Sequence, residues 1–270
     1  MSRNALSLAA LTVLELSPVA MVSCAADAGF AHVGLRLIPA TDSEPTWPII
    51  GDTPMVHDVE RRLADTGIKV LDIEIFRLRP HTRVEDYRAA LETGAQLGAH
   101  HVLVAGNDPE EARLVERFAA LCDLGATLGL TMNLEPMPWT DVKTLQDGAR
   151  VIASAGRPNA GVLIDPIHFD RAGNTAADIA SVRPQMFHYA QLCDAPAQRP
   201  TDTETLLYQA RAERLMPGDG GLELKGILGA LPAGLPLGLE IPMHKLAESV
   251  GAVERARRIR VKTEALLSSL

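Results

Sequence analysis

The chain has 270 residues, with 34 acidic and 26 basic side chains and a formal net charge of −8. Such a length buries most of its unfolded surface without staples and is close to the roughly 250 residues of an eight-fold α/β barrel. The acidic balance argues against a nucleic-acid partner, for which a basic footprint is expected, and an aromatic content of 4% shows no platform for stacking bases.

Cys24, Cys122 and Cys193 lie far apart with no C-x-x-C pair, which fits a reducing compartment better than a disulfide framework. The amino terminus loosely imitates a lipoprotein signal peptide in Arg3, the apolar stretch 5–14 and MVSC at 21–24. Glu15 and Pro18 interrupt that run, and no segment approaches the roughly 18 uninterrupted apolar residues of a membrane span. A cytoplasmic protein without a membrane partner is expected.

In chain order, short apolar runs alternate with amphipathic stretches, as repeated strand–helix units do. Residues 5–14 predict the first strand and 18–28 the first helix. HVGLRL (32–37) predicts strand two; a helix over 54–66 starts after Thr53 with Pro54 in its first turn and stops at Gly67. KVLDIEIFRL (69–78) is strand three, 84–98 its helix, and HHVLVAG (100–106) strand four. The next helix runs from Asp108-Pro109 to about Leu128, with apolar positions 114, 118, 121, 124 and 128 on one stripe. Strand five carries Glu135 and precedes a helix over 141–155; strand six carries Asp165 and precedes a helix near 175–182. Strand seven carries Gln191 and is followed by a polar loop (195–217) with Arg199, Arg211, Arg214 and PGDGG. Helices over 222–231 and 246–267 flank strand eight at 235–241. Eight units with no low-complexity linker predict an α/β fold, a single-domain (β/α)8 TIM barrel over 1–270. Glycines 29, 67, 98, 129 and 156 read as left-handed helix caps, and no G-x-G-x-x-G follows the first strand, which weakens a dinucleotide-binding alternative.

The segments TMNLEPMPW (131–139), GVLIDPIHF (161–169), FHYAQLCDA (187–195) and PLGLEIPM (236–243) each lead an apolar run into one oxygen ligand: Glu135, Asp165, Gln191 or Glu240. In three of the four a proline follows within two residues and ends ladder pairing. Polar groups at the carboxyl ends of barrel strands converge on one point. A single such Glu is more often a loop cap, but four in register predict a ligand set. Three carboxylates and an amide oxygen suit one hard divalent cation, Mn²⁺ or Mg²⁺, whereas zinc ordinarily recruits His or Cys.

These motifs resemble the xylose-isomerase-like barrel superfamily of sugar isomerases, epimerases, inosose dehydratases and endonuclease IV. The resemblance spans nearly the whole chain, through L-E-P (134–136), I-D-P-x-H (164–168), Q-L-C-D-A-P (191–196), P-G-D-G (217–220) and L-E-I (239–241). Many members carry histidine where this chain has Gln191. Gln followed by D-A-P and a later P-G-x-G, with the Phe76-Arg77 pair, is similar to bacterial 3-dehydroshikimate dehydratases. Endonuclease IV needs further histidines, of which only His168 has a clear match.

The resemblance implies proton abstraction next to a carbonyl, with Glu135 and Glu240 as the acid/base pair and His168 contacting substrate oxygens. Around them, Arg36 and Arg77 end strands two and three, where they hold a carboxylate or phosphate or else serve as ordinary surface arginines. Glu74, sharing the parity of Asp72 and Phe76, points into the barrel behind the site or pairs with an arginine. Arg211 or Arg214 closes over the substrate or lies on a solvated helix face; Trp139 forms a pocket wall or simply packs. His100, His101 and His188 are not expected to be ligands, the first two being at the opposite barrel end and His188 pointing away by alternation.

Three functions follow. The first is a metal-dependent isomerase or epimerase of a small sugar or sugar acid. The second is a dehydratase of a cyclic polyhydroxy ketone such as 3-dehydroshikimate or an inosose. The third is a ligand-binding barrel without catalysis. The expected partner is a polyhydroxylated small molecule, and the choice between monomer and homo-oligomer stays open.

Overall fold

The structure, a computed structural model, describes residues 4–270, so Arg3 lies outside the described residues. Its strands are β1 (Leu6–Leu8), β2 (His32–Arg36), β3 (Lys69–Leu78), β4 (His101–Gly106), β5 (Thr131–Glu135), β6 (Ala160–Val162), β7 (Ala190–Leu192) and β8 (Leu237–Leu239). The α-helices are α1 (Pro18–Ala28), α2 (Pro54–Thr66), α3 (Arg88–Gln96), α4 (Glu111–Ala126), α5 (Leu145–Ala155) and α6 (Pro166–Arg171). They continue with α7 (Ala176–Ile179), α8 (Thr203–Ala212), α9 (Leu224–Ala230), α10 (His244–Ala247) and α11 (Ala252–Ser268). The strands form one parallel sheet in the order β6-β5-β4-β3-β2-β1-β8-β7. The seam between β6 and β7 is bridged by the Gln191 N–H, which donates to the Ile164 carbonyl at 2.8 Å. This is the eight-stranded barrel expected from the alternating runs, with all the strand carboxyl termini at one end.

Local chemistry sets most boundaries. In α2 the Thr53 hydroxyl accepts from Val56 N at 3.2 Å, Pro54 opens the first turn, and Gly67 closes the last in the left-handed region at φ 71°. The other four cap glycines also have positive φ. Five expectations change. The stretch 5–14 is a strand only at Leu6–Leu8, then a 3-10 turn at Ala10–Val13. There the Thr12 hydroxyl donates to the Leu239 carbonyl at 2.7 Å and accepts from Ile241 N at 2.8 Å, taking over from the ladder. Helix α5 starts at Leu145 rather than 141 because Thr144 and Asp147 form a capping box. The region 84–98 divides into a 3-10 turn and α3, and 246–267 into α10 and α11 at Gly251. Finally, the loop 195–217 contains α8, whose start is fixed by Asp202 accepting from Thr205 N at 2.7 Å.

Strand β3 departs from strict alternation. Its register shifts opposite Val33/Gly34 and again between Ile73 and Phe76. Leu71 and Ile75 join the small apolar cluster with Leu103, Ala105, Met137, Leu163 and Tyr189, while Phe76 belongs to the larger core and meets Tyr87 edge-on at 5.1 Å. Glu74 and Phe76 therefore do not share a face, although their spacing predicts it.

At the amino-terminal end the barrel floor is polar. His101 Nδ1 bonds Thr131 Oγ1 and His188 Nδ1 bonds Asn133 Oδ1, each at 2.8 Å. His101 stacks on Tyr189 with 4.9 Å between centroids and lies parallel to His188 at 6.2 Å. His188 thus contacts the barrel interior, not its exterior, because it precedes β7 and escapes that strand's alternation. Burial, with the His188 and His100 charges adding to it, pushes the His101 pKa down to about 3. Unfolding restores a value near 6.5, so the unfolded chain binds more protons between these limits and stability falls as pH drops through about 6.5 toward 3. Thermal unfolding followed from neutral pH to about pH 4 is expected to show that loss, and His101→Gln to show a shallower one.

Candidate active site and metal centre

Glu135 ends β5, Gln191 lies in β7, Glu240 follows β8 directly, and Asp165 follows β6 as the N-cap of α6. All four are at most 4% exposed. Asp165 Oδ1 accepts from Ile167 N at 3.0 Å and from the Cys193 thiol at 3.3 Å. Gln191 Nε2 donates to Glu240 Oε1 at 3.0 Å. Arg214 joins the other two carboxylates: Nη1 donates to Asp165 Oδ2 at 2.6 Å and Nη2 lies 2.8 Å from Glu240 Oε2. His168 Nε2 stands 3.7 Å from both Glu135 Oε1 and Asp165 Oδ2, too far for a hydrogen bond to either. One ligating atom from each of Glu135, Asp165 and His168 falls within 4.8 Å of the others.

The electrostatics follow from crowding carboxylates in a buried place. Burial raises the Glu135 pKa well above the usual range, and the Glu240 and Asp165 charges raise it further. Burial likewise lifts Glu240 to about 7, against the opposing pull of Arg214. Asp165 is held below its ordinary value because Arg214, His168 and its hydrogen bonds outweigh burial. Burial lowers His168 to about 4, leaving a neutral imidazole at pH 7.

The six flanking residues singled out from the sequence all line the pocket that contains Glu135, His168 and Glu240. Their chemistry differs. Arg36 is matched internally: Nη1 bonds Glu44 at 2.8 Å, while Nε and Nη2 bond Glu74 Oε1 at 3.2 and 3.1 Å. Arg77 donates to Asn107 Oδ1 at 3.1 Å, yet its buried Nε has no partner and no carboxylate pairs with it among the described residues. Arg211 likewise has no ion-pair partner among them and rests over the Trp139 ring at 5.7 Å. Burial lowers the pKa of both arginines, and for Arg77 the neighbouring Arg211 charge adds to the effect. Trp139 meets His168 edge-on at 4.8 Å. Arg214 is 2% exposed and reaches the carboxylates from below α8 rather than standing over the pocket mouth.

One important residue escaped sequence reasoning. Asp194, within Q-L-C-D-A-P, accepts four backbone N–H bonds: Gly218 and Gly220 at 3.0 Å, Leu222 at 3.1 Å and Ala195 at 2.8 Å. A Cβ on Gly220 would lie 2.3 Å from Asp194 Oδ1, so the P-G-D-G segment wraps one buried carboxylate. The spacing of D-A-P and P-G-D-G was the available signal. Asp194→Ala leaves those donors without an acceptor and is expected to cost about 3 kcal/mol or more, measured by urea unfolding.

The model for "xylose isomerase-like TIM barrel" matches residues 22–262. The chain belongs to that family. Among curated relatives of this xylose isomerase-like protein, a 3-dehydroshikimate dehydratase of Pseudomonas aeruginosa is 28% identical over 201 residues, 68% of this chain and 31% of the relative. An inosose isomerase of Bacillus licheniformis is 22% identical over 158 residues, 55% of each chain. The chain thus spans about a third of the dehydratase and about half of the isomerase. Among solved structures, the IOLI protein with a zinc atom superposes with a TM-score of 0.76 at 18% identity, covering 95% of this chain and 96% of that one. A D-allulose 3-epimerase of Methylomonas sp. in complex with D-allulose gives 0.70 at 15% identity, covering 98% of both. At these identities the structural likeness concerns the fold.

The donor set itself fits a metal ion. Among the described residues, Glu135 Oε1 and Gln191 Oε1 are buried acceptors with no hydrogen-bond donor. Such oxygens are costly unless something positive meets them. Glu135, Asp165 and His168 form a candidate metal site.

Proposed function

We propose that this protein is a divalent-metal-dependent enzyme that abstracts a proton next to the carbonyl of a polyhydroxylated, anionic small molecule. The reading rests first on geometry: Glu135 and Glu240 are buried in one pocket with His168, and Glu135 Oε1 has no hydrogen-bond partner among the described residues. Glu135, Asp165, Gln191 and Glu240 would hold the ion, Mn²⁺ or Mg²⁺, which when bound polarises the substrate carbonyl. Zinc belongs in the same assay because His168 adds a nitrogen within the cluster.

The residues then divide the work. Glu135, with its partnerless Oε1, takes the α-proton. His168, neutral and buried, bonds a substrate hydroxyl, and Trp139 walls the pocket beside it. Glu240 delivers a proton, and the position that receives it sets the outcome. Delivery to a β-hydroxyl expels water and leaves a double bond; delivery to carbon gives an isomer or epimer.

Arg77 and Arg211, two pocket guanidinium groups with no ion-pair partner among the described residues, favour a substrate bearing a carboxylate. With the likeness to a 3-dehydroshikimate dehydratase, this makes dehydration of a cyclic hydroxy-keto acid the first reading. Isomerisation or epimerisation is the second, favoured by the likeness to an inosose isomerase and served by the same acid/base pair.

The test is solvent exchange. Protein loaded with Mn²⁺, Mg²⁺ or Zn²⁺ is incubated in deuterated water with dehydroshikimate, inososes or ketoses, quenched, freed of metal and read by NMR. A new double bond in the acid supports dehydration, and deuterium at an inverted or shifted centre supports the second reading. No metal-dependent exchange with any of the three would leave a ligand-binding barrel.

A further inference from the structure

Arg214 is held more completely than any other arginine near the candidate metal centre. Its backbone N–H donates to the Pro242 carbonyl at 2.8 Å, and Leu215 exchanges both backbone bonds with Asp194. The segment is therefore strapped across the ends of β7 and β8. From that anchor Nε donates to the Ala210 carbonyl at 2.7 Å, and Nη1 to the Glu240 carbonyl at 2.9 Å and to Asp165 Oδ2. Nη2 meets Glu240 Oε2. Four donor directions are satisfied, and the side chain is 2% exposed. It has no freedom to act as a lid.

Two of the three carboxylates in the centre, Asp165 and Glu240, are thus oriented by one guanidinium. The remaining acceptors, Glu135 Oε1 and Gln191 Oε1, receive nothing from it. When ionised, the three carboxylates and Arg214 leave a net charge of two negatives, which one divalent ion neutralises. We infer that Arg214 is a built-in counter-cation of the metal centre: it holds Asp165 and Glu240 in place before metal arrives and weakens the centre's attraction for the ion. This rests on the metal-dependent reading above. Its physical basis is that a fixed positive charge beside a buried carboxylate cluster repels a second cation while stabilising the empty cluster.

The experiment measures Mn²⁺ binding by calorimetry and thermal unfolding with and without Mn²⁺, for wild type, Arg214→Gln and Arg214→Lys. Arg214→Gln is expected to unfold at lower temperature without metal, to bind Mn²⁺ about fivefold more tightly or better, and to gain more in Tm on binding. Arg214→Lys keeps the charge and is expected to stay within about twofold of the wild-type Kd, although it loses the fork. Should Arg214→Gln be unfolded alone, folding on addition of Mn²⁺ supports the inference and failure to fold overturns it. Equal or weaker binding by a folded Arg214→Gln also overturns it, with the metal-dependent reading left standing. Absence of Mn²⁺, Mg²⁺ and Zn²⁺ binding by the wild type removes both.

Discussion

Glu135→Gln is expected to lower kcat by about 10²–10⁴-fold while the barrel stays folded. Glutamine keeps the volume of the side chain and one acceptor oxygen, but its other terminal atom is an amide donor and it cannot take a proton at neutral pH. Glu135 makes no hydrogen bond through Oε1, so the change breaks little that supports the fold. Glu240→Gln is expected to reduce turnover by a similar factor, about 10²-fold or more, but for a different reason. There Gln191 and Arg214 both bond the carboxylate, so the variant also leaves Arg214 short of a counter-charge and unfolds at lower temperature. The two variants separate in solvent exchange. Glu240→Gln should still exchange the α-proton, since Glu135 removes and returns it, but form little product; Glu135→Gln should do neither. Wild-type turnover by either variant would remove that residue from proton transfer.

Those two glutamates were legible because a buried parallel strand leaves a plain trace: a few apolar residues, one acid, then a proline. The same trace located Asp165, Gln191 was found from its apolar run alone, and the cap glycines separated the helices. What stayed hidden depends on neighbours distant in sequence. Arg214 sits 49 residues from Asp165 and 26 from Glu240, and nothing local to R-A-E-R distinguishes a buried fork from a solvated helix face. The inward turn of both Glu74 and Ile75 comes from a register shift against β4, which one strand's own pattern cannot carry. Helix α8 was readable in part, as Asp202 followed by T-E-T is a fair N-cap, but the arginines and polar residues around it suggested a loop. The Glu44–Arg36–Glu74 chain likewise needed coordinates, because it neutralises one arginine and leaves Arg77 and Arg211 as the pocket's unpaired charges.

That division of the arginines leads to the second large effect. Arg77→Met and Arg211→Met are each expected to lower kcat/KM for an acidic substrate by about 10–10²-fold, since a bond to a charged group contributes about 1.5–3 kcal/mol. The double variant should lose less than the product of the two, because both groups would hold one carboxylate. An uncharged amide or ester analogue should be turned over by wild type and variants at rates differing far less. Stability supplies the opposite sign. Each arginine loses solvation in the pocket and has no ion-pair partner among the described residues, the more distant pull of Glu135 on Arg77 and of Glu44 on Arg211 offsetting burial only in part, so methionine in either place should raise the Tm of the ligand-free protein. Arg36→Met should lower it, because the buried Glu74 and the partly buried Glu44 would then lack their cation. A variant pair that gains stability and loses only the acidic substrate marks a binding group kept at a cost to the fold. Loss of stability with equal loss toward charged and neutral substrates would instead assign Arg77 and Arg211 to packing and return the neutral-ketose reading to first place.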